Sequence, residues 1–202
     1  LEALATQGAK AMYSGPIAQN IVAKAGQTVG DDAARTPITP SLMTLQDLSN
    51  YQVKKRTPIC STYRDRYYVC TMPPPSSGGI AVAQTLGILE NFEMSKYPPQ
   101  NPENEGGIPD VMGVHLVSET ERLAYADRDK YVADTDFVPL PAKGIASLID
   151  KNYLRQRAAL INPNQSMGVA QAGQFDSNAG IDSTVEHGTT QFTIVDAYNY
   201  SL

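Results

Sequence analysis

The run Glu186-His187-Gly188-Thr189-Thr190-Gln191-Phe192-Thr193-Ile194-Val195-Asp196 decides how this chain is read. A small residue precedes two threonines, and a strand-like stretch then leads to an aspartate. A threonine hydroxyl is a poor nucleophile at neutral pH and needs a base. An N-terminal threonine carries its own base, the α-amine, whose unperturbed pKa is about 8. That amine exists only once the preceding peptide bond is broken. The hydroxyl of Thr189 can attack the Gly188 carbonyl to give an ester that water hydrolyses. Gly188 tolerates the backbone angles such an attack needs. The run therefore has the form of a self-cleaving N-terminal threonine enzyme before it is cut. The competing reading is an ordinary strand that happens to start with Thr-Thr.

Working outward, the bulk properties narrow the class. The chain has 202 residues, enough for one substantial core or one and a half small domains. Its apolar share of 42% and charged share of 18% are those of a soluble globular protein. A net charge of −5 argues against nucleic acid as the main partner, because phosphate binding needs a basic face. No apolar run reaches the length of a membrane span. The chain opens at Leu1 in a helix-like pattern rather than a leader pattern, as a mature product or a fragment would. The two cysteines fit no zinc spacing, and His115 and His187 lie far apart, so no metal and no cofactor is expected.

The apolar periodicity predicts short helices over 1–13 and 16–25, split by Ser14-Gly15, with Pro16 in a first helical turn. Thr44-Leu45-Gln46-Asp47 has the form of a helix N-cap with an acid three residues on. Residues 58–70 read as a β-hairpin turning near Arg64 to Arg66, which sets Cys60 opposite Cys70. Two readings of that pair stand: a disulfide, which would imply an oxidising compartment, or two free thiols packed as small hydrophobes. Met72-Pro73-Pro74-Pro75-Ser76-Ser77-Gly78-Gly79 is a stiff, extended lead into a helix over about 80–92, with Ser76 or Ser77 as its cap. A longer helix is predicted over 110–131, with Met112, Leu116, Leu123 and Ala126 on one face and Glu119, Glu121 and Arg122 mostly solvated. Shorter helical pieces follow at 145–149 and 151–160. Residues 162–183 are polar and rich in Gly and Gln, as in a mobile linker. A strand is predicted over 190–195, and it has no sheet to join within this sequence.

Other constellations carry less. Asp127, Asp129, Asp134 and Asp136 lack the glycine and terminal glutamate of a calcium loop and read as a solvated helix end. Gly78-Gly79 lacks the lysine of a phosphate loop. His115 reads as a helix-face residue rather than a base.

The octapeptide Met72 to Gly79 and the run from Thr189 to Asp196 together resemble two hallmarks of the γ-glutamyltranspeptidases. His115-Leu116, Leu123-Ala124-Tyr125-Ala126-Asp127-Arg128, the following Asp134 to Val138, and Met43 to Leu48 with Tyr51 match further family segments in the same order. The resemblance implies an N-terminal-nucleophile hydrolase, an α+β/α/β fold built as a four-layer αββα sandwich, only partly represented here. It implies residues 1–161 as the helical and hairpin part of the large subunit, 162–188 as a flexible linker up to the cleavage site, and 189–202 as the first strand of the small subunit. It implies a zymogen cleaved autocatalytically between Gly188 and Thr189, whose two subunits stay associated as a heterodimer. The implied chemistry, in glutathione metabolism, is transfer of a γ-glutamyl group to water or an amino acid through an acyl-Thr189 intermediate. Thr190 and Gln191 would be supporting neighbours. The implied location is periplasmic or secreted.

Gln191 stands where many members have His. An amide hydrogen-bonds but takes up no proton, so this position is given no acid–base role. The family's substrate-carboxylate arginine, its oxyanion glycines and the residues that hold the γ-glutamyl moiety belong to segments outside these 202 residues. The chain alone is therefore expected to be inactive. Relatives that act as cephalosporin or glutaryl acylases share the same motifs, and an inactive, unprocessed structural fragment is the non-enzyme alternative.

Overall fold

The computed structural model describes residues 1–104 and 106–175, and the chain divides into two units, Leu1–Lys55 and Arg56–Leu202. The sequence reading placed no boundary at this point. The run from Gly188 to Val195, with the predicted strand, lies outside the described residues.

The first unit is helical. It contains α1 (Glu2–Gln7), α2 (Lys10–Tyr13), α3 (Gly15–Ala25) and α4 (Leu45–Asn50). Proline in the first turn of α3 fits because the amides there have no intrahelical acceptor. The start of α4 is a reciprocal capping box. Thr44 Oγ1 accepts the Asp47 amide at 3.2 Å, and Asp47 Oδ2 accepts the Thr44 amide at 2.7 Å. Tyr13 and Tyr51 stack with ring centroids 5.6 Å apart.

The second unit begins with an antiparallel hairpin, β1 (Ile59–Tyr63) and β2 (Tyr67–Thr71). Arg64 and Asp65 take positive φ in the turn, which closes the strands in a register that sets Cys60 against Cys70. The two cysteines are disulfide-bonded, with Cα atoms 4.1 Å apart. The hairpin is the only sheet among the described residues.

After the proline run come α5 (Gly78–Leu89), α6 (Val111–Tyr131), α7 (Ile145–Leu148) and α8 (Lys151–Ala158). Asp110 caps α6 by accepting the amides of Met112 and Gly113, and Asp150 caps α8 in the same way through Asn152 and Tyr153. Helix α5 is buried along most of its length and packs against both α6 and α8. One apolar cluster joins Ile88 and Leu89 of α5, Leu116 and Leu123 of α6, and Leu154 and Ala158 of α8. A second gathers Ile59, Ile80, Tyr131, Val132 and Leu148, with Ala172 and Phe175 packed on its edge.

Three expectations are corrected. Glu119 is 1% exposed rather than solvated, because its carboxylate finds main-chain and side-chain donors from residues 166 and 167. Asp127 is also 1% exposed and does not belong to a solvated helix end. Ser77 holds the N-cap position of α5, but its side chain makes no capping bond and instead accepts Arg128 Nε at 3.0 Å.

Candidate functional site: the anchor of the segment that precedes Thr189

Helix α6 sets Glu119, Leu123, Asp127 and Tyr131 at successive intervals of four residues, so they share one face of the helix. That face reads the main chain of residues 166–173. Near the start of the stripe, Glu119 accepts the Ser166 hydroxyl and the Met167 amide, both at 2.7 Å. Arg122 donates to the Gly168 carbonyl at 2.7 Å and lies 3.2 Å from Glu119. Further along, Asp127 Oδ1 accepts the Gly173 amide at 2.7 Å, and the Tyr131 hydroxyl donates to the Gly173 carbonyl at 2.7 Å. The segment thus runs alongside α6 in the direction of the helix.

Asp127 is the hub of this arrangement. Its Oδ2 accepts Gln84 Nε2 of α5 at 2.9 Å and the Tyr153 hydroxyl of α8. Gln84 Nε2 also donates to the Leu148 carbonyl at 2.9 Å, so both of its partners are acceptors and the amide orientation is settled. Arg157 of α8 lies 3.3 Å from Asp127 Oδ1 and donates to the carbonyls of Leu123 and Gln171 at 3.2 and 2.7 Å. A buried carboxylate is tolerable only when paired and hydrogen-bonded, and Asp127 has both conditions met. Phe175 closes the group with its ring edge-on to Tyr131 and tilted against Tyr153.

Electrostatics follow from these contacts. Burial pushes the Tyr153 phenol well above its ordinary value, and the neighbouring Asp127 charge adds to that, with Arg157 opposing. Tyr153 therefore stays a proton donor to Asp127 across the working range of pH. For Glu119, burial opposes ionisation. The Met167 amide, the Ser166 hydroxyl and the charges of His115 and Arg122 outweigh it, and the carboxyl sits below its ordinary value.

Residues 162–175 thus have neither helix nor strand, yet they are tied to the helical body at Ser166, Met167, Gly168, Gln171 and Gly173. Gly173 has no room for a side chain, since a Cβ there would lie 2.0 Å from the Tyr153 hydroxyl.

The residues expected to carry chemistry divide sharply. Gly188, Thr189, Thr190 and Gln191 lie outside the described residues, as does His187. Cys60 and Cys70 form the bond described above. His115 places Nε2 2.9 Å from the Asn162 carbonyl, well away from the Asp127 hub in sequence and in partners. Among the described residues, no three His, Cys, Asp or Glu side chains are grouped to hold a metal, and no helix is long and apolar enough to cross a membrane. Sequence reasoning missed Asp127, Glu119 and their main-chain partners. The available signal was that both acids share the stripe of Leu123.

The arrangement of helices and hairpin corresponds to that of an N-terminal-nucleophile hydrolase of the γ-glutamyltranspeptidase type. The crystal structure of Helicobacter pylori γ-glutamyltranspeptidase superimposes with a TM-score of 0.59 at 31% identity, covering 84% of this chain and 43% of that one. The gamma-glutamyltranspeptidase family model matches residues 1–201, so the chain belongs to the γ-glutamyltranspeptidase family. Its sequence is 34% identical to the glutathione hydrolase proenzyme of Escherichia coli K12 across 97% of the chain. It is also 34% identical to the acylase ACY 1 proenzyme of Pseudomonas sp. strain V22 across 98% of the chain. The chain spans 29% and 30% of the lengths of these two relatives.

Proposed function

We propose that this chain is the portion of a γ-glutamyltransferase proenzyme that contains its cleavage site, and that Thr189 is both the processing nucleophile and the catalytic one. One observation carries the reading. The family match spans residues 1–201, a range that includes the Gly188-Thr189-Thr190 run, and relatives that cover 97–98% of the chain are named as proenzymes.

In this reading the Thr189 hydroxyl attacks the Gly188 carbonyl carbon and the C–N bond breaks. The Thr189 nitrogen leaves as an amine, and an ester joins Gly188 to the threonine oxygen. Water hydrolyses the ester, leaving a Gly188 carboxylate and a Thr189 with a free α-amine. The free amine then takes the hydroxyl proton as Thr189 attacks a γ-glutamyl carbonyl, and returns it to the departing amine of a glutathione-type donor. Water or the amine of an amino acid resolves the acyl-Thr189 ester. No metal or cofactor enters any step. Residues 1–188 and the part beginning at Thr189 stay together as a heterodimer within a four-layer sandwich completed by the rest of the full-length protein. The Cys60–Cys70 bond supports a periplasmic or secreted location, where disulfides persist.

A second reading has its own support. The acylase relative is as similar as the glutathione hydrolase one, so cleavage of glutaryl or cephalosporin side-chain amides by the same Thr189 is the alternative.

The test is a denaturing gel of the full-length protein that contains this chain, with N-terminal sequencing of the product. Spontaneous conversion to two bands, one starting at Thr189, is expected, and Thr189→Ala should stay a single band. A wild type that stays whole and matches Thr189→Ala overturns the reading. Release of a chromogenic amine from a γ-glutamyl anilide, against release from a glutaryl anilide, separates transferase from acylase.

A further inference from the structure

We infer that Asp127, with Tyr131, is a positioning residue for processing at Gly188–Thr189. It fixes the register of the segment that leads to the scissile bond without touching the reacting atoms. The inference rests on the reading of Thr189 given above. Its starting point is a buried carboxylate that the acyl-transfer chemistry does not use. Asp127 is 1% exposed, draws donors from α5 and α8, and applies its remaining acceptor to a backbone amide, that of Gly173. Tyr131, one turn further on, takes the carbonyl of the same residue. Both polar groups of one peptide residue are thus gripped by one helix face. The absence of a side chain at Gly173 lets Tyr153 stand against it.

The attack of Thr189 on Gly188 is intramolecular and needs the reacting atoms about 3–3.5 Å apart, so a displacement of about 1 Å can cost on the order of 100-fold. A tether and a register make different predictions. Gly173 lies about 15 residues before the scissile bond, and the next upstream grip, at Gln171, lies about 17 before it. If the grip only shortened the chain that must close, its loss would slow closure roughly 1.2-fold. If it sets the register, the loss should be on the order of tenfold. Once the bond is cut, Thr189 is no longer joined to the gripped segment, and turnover should no longer depend on it.

The experiment follows both quantities in the full-length protein. Asp127→Asn and Tyr131→Phe are compared with wild type for the first-order appearance of the two bands. The processed fraction is then assayed on a γ-glutamyl anilide, with turnover expressed per processed molecule. Processing should slow about tenfold or more, with kcat and KM per processed molecule within about twofold of wild type. Processing within about twofold of wild type in both variants overturns the inference, and so does a parallel fall in processing and turnover. If Asp127→Asn accumulates insoluble, Tyr131→Phe decides alone, since it removes only the hydroxyl that holds the Gly173 carbonyl. A wild type that never cleaves marks failure of the Thr189 reading instead.

Discussion

Asp127 on α6 holds the main chain of Gly173 through a 2.7 Å bond from the Gly173 amide, although 46 residues separate the two. The same carboxylate faces Arg157 of α8 at 3.3 Å, and both side chains are almost fully buried. Removing one partner of such a pair leaves the other charge uncompensated in a poorly solvated site. Asp127→Ala should therefore destabilise the full-length protein by about 3–5 kcal/mol. Replacing Asp127 and Arg157 together by apolar residues should cost clearly less than the sum of the single changes, because no orphaned charge remains. Urea unfolding of the two single variants and the double variant measures the coupling, and simple additivity would contradict it.

The Glu119 anchor makes the hold on residues 166 and 167 sensitive to acid. Its folded-state pKa lies below the ordinary value of 4.5, because the donors around the carboxylate outweigh the burial that opposes ionisation. A depressed carboxyl contributes stability that is fully present above its unfolded-state pKa and is lost as pH falls through the folded one. The melting temperature of the wild type should thus drop as pH goes from about 5 downward, and Glu119→Gln should show a shallower drop. At pH 7 the same variant should be less stable by about 1–3 kcal/mol, the cost of weakening charged hydrogen bonds in a buried site. Identical pH profiles for the two proteins would remove Glu119 from the account.

Where a feature was legible in the sequence, its signal was local. Thr44 and Asp47 lie three residues apart, and their capping box is a property of that spacing. The turn after Tyr63 fixes the register that sets Cys60 against Cys70, and Asp110 announces the start of α6. Asp127 and Glu119 were not legible because an acid within a helix looks the same whether water or protein surrounds it. Their deciding partners, the amides of Gly173 and Met167, are main-chain atoms that every residue but proline carries. The polar, Gly- and Gln-rich composition of residues 162–175 reads as a linker for the same reason, since a segment held by its backbone needs no apolar period.

The Cys60–Cys70 bond closes a loop with a sequence separation of 10. A crosslink over so short a loop limits the freedom of the unfolded chain by roughly 2–3 kcal/mol. Cys60→Ser with Cys70→Ser should lower stability by that amount while leaving the hairpin register intact, since the turn at Arg64 and Asp65 sets the register. Mass measurement after alkylation without reduction should find no modified cysteine in the native protein. Two alkylated thiols there would show that the bridge does not form in solution.

Gly78 and Gly79 are adjacent and should respond in opposite ways to the same substitution. A Cβ on Gly79 would lie 1.9 Å from the Met72 carbonyl oxygen and 3.1 Å from a Thr71 methyl, and neither a backbone carbonyl nor the end of β2 can move aside cheaply. A Cβ on Gly78 meets nothing within 4 Å. Gly79→Ala must therefore push α5 away from the strand end. That movement would disturb Ile80, which is fully buried in the cluster that also contains Ile59 and Tyr131. A loss of about 2–4 kcal/mol is expected, comparable to other core disruptions. Gly78→Ala adds a better helix former in the first turn at an open position, so it should be neutral or stabilising by up to about 1 kcal/mol. Thermal unfolding of the two variants beside the wild type provides the comparison. Equal shifts would mean that close approach to Met72 is not what Gly79 supplies.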